Sequence, residues 1–149
     1  MIQRIQTVYL LISVALLTTM MFLTLGTFVS ADNVLTEMTS LALTQGGSVV
    51  SYRPWALFAE LAVADAVVFV TIFLYKKRML QIRLATFAAI ILVGWYATLF
   101  IFIYIMKDEA AFSYSWHDIL PLVAILADWM AIRAIGADEV LVRSYDRLR

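Results

Sequence analysis

The chain alternates long apolar runs with short polar stretches, and the apolar runs have the length of membrane spans. About 20 apolar residues cross a hydrocarbon core of roughly 30 Å as a helix. No charged residue occurs between Arg4 and Asp32, nor between Arg83 and Lys107. These stretches predict a first span over residues 7–28 and a third over residues 84–106. A second span is expected over residues 55–75. It is opened by Pro54, which suits a helix start because the N–H it lacks would be unpaired there anyway. It carries two acids, Glu60 and Asp65. A fourth span is expected over residues 118–135, with Pro121 in its first turn, Asp128 inside and Gly136 as its stop.

The polar stretches have patterns of their own. In the long connection 30–53, Leu41 and Leu43 alternate with small or polar neighbours, Gln45-Gly46-Gly47 makes a turn, and Val49-Val50 follow. That spells a small β-hairpin capping the bundle on its extracytoplasmic side, with an irregular loop as the alternative. Tyr114 and Trp116, between the last two spans, suit a membrane interface. In the tail 136–149, Val140 and Leu141 recur against Ser144 and Leu148 at helical spacing. This predicts a short amphipathic helix at the cytoplasmic surface. Arg143, Asp146, Arg147 and Arg149 are too charged to bury and are expected to form its contact surface for protein or lipid.

Composition sharpens this reading. Of 149 residues, 64% are hydrophobic and 15% charged, against about half and about a quarter in a soluble domain. Lipid must be the solvent for much of the surface. The expected fold is an all-α integral membrane protein, a single-domain bundle of four transmembrane helices. Arg4, the apolar run and Val29-Ser30-Ala31 also resemble a secretory signal with a cleavage site. The run is longer than a signal core, which favours a retained span.

Lys and Arg set the orientation. Arg4, Lys76, Lys77, Arg78, Arg83, Arg133, Arg143, Arg147 and Arg149 fall on one side of a four-span topology, and only Arg53 and Lys107 on the other. The expected location is the bacterial inner (cytoplasmic) membrane, with both termini cytoplasmic. The basic loop 76–83 is also able to meet acidic lipid headgroups, although fixing topology suffices to explain it.

Much chemistry is out of reach. Cysteine is absent and His117 is the only histidine, so one copy offers no thiolate, no bis-histidine haem ligation and no His-rich metal site. No glycine-rich phosphate loop or nucleophile elbow is present. The sequence therefore predicts no enzyme, no catalytic residue, no cofactor, no metal and no nucleic-acid partner.

The polar residues inside the spans are the candidate site. Counting inward from the span ends places Asp65, Asp128 with Trp129, the Trp95-Tyr96 pair and Thr18-Thr19 at one depth. Glu60 lies about 8 Å nearer the outer face, at 1.5 Å rise per residue. A charged carboxylate at the bilayer centre costs at least a few kcal/mol, and no cation shares that depth. Asp65 and Asp128 should therefore face the interior, with at least one protonated. Ala124, Ala127, Ala131 and Ala134 on span four, and Ala59, Ala62 and Ala66 on span two, have the spacing that lets helices approach closely. Spans two and four are thus expected to be neighbours. The acids read either as a proton or cation relay or as hydrogen-bond glue to Tyr96, Trp129 or a threonine.

Three segments carry a family resemblance. They are Met1-Ile2-Gln3-Arg4-Ile5-Gln6-Thr7 before the first span, Leu80-Gln81-Ile82-Arg83-Leu84 before the third, and the tail Asp138-Glu139-Val140-Leu141-Val142-Arg143-Ser144-Tyr145-Asp146-Arg147-Leu148-Arg149. Together they resemble an uncharacterised four-span membrane family of Bacteroidota, domain of unknown function 4293. The resemblance covers the whole chain and implies a bacterial inner-membrane location. It implies no activity, cofactor or catalytic residue. The expected role is a non-enzymatic accessory or assembly subunit, with the bilayer, other membrane proteins or further copies of itself as partners. The alternative is a small proton- or cation-coupled transporter or channel using Asp65 and Asp128.

Overall fold

The computed structural model describes residues 2–30, 34–106 and 110–147. Four helices carry the chain: α1 (Ile2–Phe22), α2 (Trp55–Phe73), α3 (Arg78–Met106) and α4 (Leu120–Arg147). All four are long and apolar enough to cross a membrane. They close a ring in which α1 packs on α2 and α4, and α3 packs on α2 and α4.

One spacing organises the interior. The buried positions are Gln6, Leu10, Ser13, Leu17 and Met20 on α1, then Leu57, Leu61, Ala64, Val68 and Thr71 on α2. On α3 they run Gln81, Ala85, Ala88, Leu92, Trp95, Leu99 and Ile103, and on α4 Pro121, Ala124, Asp128, Ala131 and Ile135, with Ala127 buried beside that series. Each series steps by three and four residues, a period of 3.5, which keeps one seam facing its partners along the length of a bundle. The outer faces stay apolar, with Val8, Leu11, Phe69, Ile90, Val93 and Leu126 among the exposed side chains.

The fold is not all-α. Strands β1 (Thr24–Ser30), β2 (Leu35–Thr39), β3 (Leu43–Gln45), β4 (Ser48–Ser51) and β5 (Ala110–Tyr114) form one antiparallel sheet in the order β4-β3-β2-β1-β5. The expected hairpin is its β3–β4 edge, turned by Gly46 and Gly47 at φ of 57° and 83°. Positive φ at both central residues is what a tight hairpin turn requires. The rest of the sheet comes from two places the sequence hid. The apolar run to Phe28 is divided, with helix ending at Phe22 and strand beginning at Thr24. Thr24, Gly26 and Thr27 are weak helix formers, and β2 and β5 take up their backbone groups instead. Leu25, Phe28, Met38 and Leu43 then join the same core as the helices, so the sheet caps one end of the bundle.

Ser40 ties this cap to the helices. Its hydroxyl donates to the Met21 carbonyl at the end of α1 (2.9 Å). Its carbonyl accepts from the Phe58 N–H in the first turn of α2 (3.1 Å). Both are groups that helix ends leave unpaired.

At the opposite end, Gly136 does not stop the fourth helix. α4 runs on through Arg147, so the tail continues that helix and is not a separate one. A helical glycine costs about 1 kcal/mol relative to alanine. Arg78 offsets this by holding the extension, pairing with Asp138 at 3.0 Å and Glu139 at 3.8 Å. A Cβ at Gly136 would meet nothing within 4 Å. Gly136→Ala is therefore expected to stabilise the protein by up to about 1 kcal/mol, read as a higher melting temperature in detergent. A lower one would mean that the helix has to bend there.

Candidate functional site

The interior polar groups are placed helix by helix. On α2, Asp65 points to the α1 seam, where the Thr18 hydroxyl donates to its Oδ2 at 3.1 Å. Its Oδ1 is buried without a partner. Glu60 lies five residues earlier, roughly 140° around the same helix, and faces α3. There the Thr98 hydroxyl donates to its Oε1 at 2.8 Å, and Oε2 is buried and unpaired. Thr19 turns back onto the Ala15 carbonyl of its own helix.

Asp128 is the most enclosed acid, with no solvent-accessible surface at all. Ser13 of α1 is the side chain that faces it. The Ser13 hydroxyl lies within reach of the carboxyl, but the pair is not aligned as a full hydrogen bond, and the Asp128 oxygens have no other partner. Both residues belong to the 3.5-residue stripe, so packing brings them inside whether or not they bond.

The expected single layer does not form. α2 and α4 sit across the diagonal of the ring, so spans two and four are not neighbours. Asp65 meets Thr18 and Asp128 faces Ser13. Those two positions on α1 are five residues apart, roughly 7.5 Å along the helix. The alanine stripe on α4 does face inward at Ala124, Ala127 and Ala131, packing on α1 and α3. On α2 the buried alanine is Ala64, and Ala66 is exposed.

Tyr96 and Trp129 also serve elsewhere. The Tyr96 hydroxyl donates to the Asp118 carbonyl at 2.6 Å and accepts from the Leu122 N–H at 3.0 Å. It thereby completes the start of α4, where Asp118 lies in a short 3-10 turn, Trp116–Ile119. Trp129 is half exposed on the outside of α4, with the Arg133 guanidinium 4.9 Å from its ring. Trp129 therefore leaves the candidate site. Of the expected tail surface, the side chains of Arg143, Asp146 and Arg147, and all of Arg149, lie outside the described residues.

Five residues carry interior bonds that the sequence did not foretell, although it placed Trp95 in the mid-membrane layer. Gln6 Nε2 donates to the Ala134 carbonyl (3.1 Å), joining α1 to α4. Gln81 Nε2 donates to the Thr71 carbonyl (2.9 Å), joining α3 to α2. Trp95 Nε1 donates to the Leu57 carbonyl (3.1 Å). Thr98 and Ser40 complete the set. Gln6 and Gln81 were visible as polar members of apolar 3.5-residue stripes. Thr98 was visible only as a polar residue in an otherwise apolar run.

The chain belongs to the DUF4293 family. The family model, described as a domain of unknown function, matches residues 2–148, so it takes in all four helices and the whole sheet. No curated protein matches the chain. Family membership thus covers the fold as a unit and assigns none of its residues a role. Among the described residues, no three His, Asp or Glu side chains converge as a metal site would require. The three acids expected in the site are instead spread over three seams of this DUF4293 protein, Glu60 between α2 and α3, Asp65 between α1 and α2, and Asp128 between α1 and α4.

Proposed function

We propose that this DUF4293 protein is a non-enzymatic accessory or assembly subunit of a bacterial inner membrane, with both termini in the cytoplasm. One observation carries the reading. The interior polar groups bond as separate stitches between adjacent helices. Gln6, Gln81, Trp95, Thr98 and Thr18 each bridge one helix pair, and none of these bonds leads to the next. A relay needs groups within hydrogen-bond reach of one another or of a water between them. A scaffold needs only local stitches. The same arrangement favours partners that meet the apolar outer faces or the sheet-capped end.

Asp128 favours a second reading, proton or cation movement, because a fully buried acid with two unpaired oxygens is an expensive feature for a scaffold to keep. Flux measurement separates the two. In proteoliposomes carrying a trapped pH dye and a trapped K+- or Na+-sensitive dye, an imposed K+ or Na+ gradient should produce no proton or cation flux above that of protein-free vesicles. Flux that disappears in Asp128→Asn would overturn the accessory role and establish the second reading.

A further inference from the structure

We infer that the end of the bundle opposite the sheet carries a binding cleft for the phosphate of an anionic phospholipid headgroup. The inference rests on the membrane placement of the four helices and is independent of the accessory role.

The cleft, about 680 Å³ in volume, lies between the α2–α3 connection and the extension of α4. Among the described residues, Lys76, Lys77, Arg78 and Arg83 line it, against one acid, Glu139. Among the described residues only Arg78 of these four cations has an acidic partner, being held by Asp138 and Glu139. Lys76, Lys77 and Arg83 are exposed and make no ion pair there. Three uncompensated cations around one concavity suit a single compact anion better than they suit one another.

The cleft is also preformed. The α2–α3 connection is closed by consecutive turns, in which Leu74 N–H donates to the Thr71 carbonyl, Lys77 N–H to the Leu74 carbonyl, and Leu80 N–H to the Lys77 carbonyl. Gln81 reaches back to the Thr71 carbonyl and locks the same corner. The far wall is fixed by the Arg78–Asp138 pair. A ligand would therefore meet a built site and would not have to order a loop.

The remaining lining selects lipid over free phosphate. Tyr75, Met79, Leu80 and Val142 are exposed apolar side chains beside the cations. A headgroup phosphate on Lys76, Lys77 and Arg83 would leave glycerol and acyl carbons against them, at the depth where hydrocarbon gives way to headgroups. Inorganic phosphate would use the cations alone.

Native mass spectrometry of the detergent-solubilised protein tests this, with phosphatidylglycerol, phosphatidylcholine and inorganic phosphate as probes. Phosphatidylglycerol adducts should exceed phosphatidylcholine adducts at equal concentration. Lys77→Gln and Arg83→Gln should each weaken the phosphatidylglycerol adduct roughly fivefold, whereas Arg53→Gln, at the sheet end, should leave it unchanged. Glu139→Gln removes the one acid among the described lining residues and should strengthen the adduct, a gain that misfolding would not imitate. Equal retention of the two lipids, or an adduct indifferent to both cleft variants, would overturn the site. Displacement of phosphatidylglycerol by millimolar inorganic phosphate would overturn its assignment to a lipid. None of these readouts depends on ion flux, so failure here and failure of the accessory role are distinguishable.

Discussion

The Asp128→Leu variant is expected to be more stable than the native protein. Asp128 is completely enclosed, its polar neighbour is the Ser13 hydroxyl, and neither of its oxygens has a well-aligned hydrogen-bond partner. A buried polar group without a partner costs about 1–3 kcal/mol. Leucine repeats the branching of the aspartate side chain at Cγ and belongs to the apolar stripe that Ala124 and Ala131 already form. The gain should be on the order of 1 kcal/mol or more, and overpacking by the larger methyl groups would reduce it. Asp128→Asn keeps a polar group in the same place and should change little. Asp65→Leu should differ in sign or be near neutral, because it loses the Thr18 bond as well as one unpaired oxygen. Interhelical bonds of that kind average about 0.6 kcal/mol in membranes. Thermal unfolding of the three variants in one detergent gives the comparison. If Asp128→Leu melts lower while Asp128→Asn does not, the carboxyl is bonded in the folded protein after all. If it melts higher, the native acid is retained at the expense of stability.

Gly26→Val should disrupt the sheet-capped end. A Cβ at Gly26 would lie 2.5 Å from the Ser113 carbonyl oxygen and would overlap the Phe112 ring. Phe112 cannot swing aside freely, since its ring packs at 4.7 Å against Phe28 and edge-on at 4.9 Å against Tyr114. The carbonyl belongs to the β5 backbone, so relief requires β1 and β5 to separate. Overpacking of this kind costs about 1–3 kcal/mol, and the branched valine should sit at or above the upper end. The double variant Gly26→Ala/Phe112→Ala frees the ring but leaves the carbonyl contact, so its rescue should be partial. Limited proteolysis of segment 30–53 and a melting curve would show the loss. Native-like protection in Gly26→Val would mean that β1 and β5 are not held at this spacing.

The distribution of apolar residues along the sequence determined four helices and the uncharged interiors of the first and third. A residue's solvent preference is a local property, and a run of some twenty such preferences leaves few alternatives. The Gln45-Gly46-Gly47 turn was legible for the same kind of reason, since glycine's freedom at positive φ is intrinsic. Tertiary structure decided where the first apolar run stops being helix. Leu25 and Phe28 are as apolar as the residues before them, and only pairing with β2 and β5 makes the strand the better outcome. It also decided which helices touch. Alanines at close-packing spacing on α2 and α4 state that each can approach some helix, not which one, and the ring order put those two on the diagonal. That order sent Asp65 to Thr18, Glu60 to Thr98 and Asp128 to face Ser13. Depth along a helix follows from counting residues, but the partner of a side chain depends on the azimuth of every helix around it, which no single span encodes.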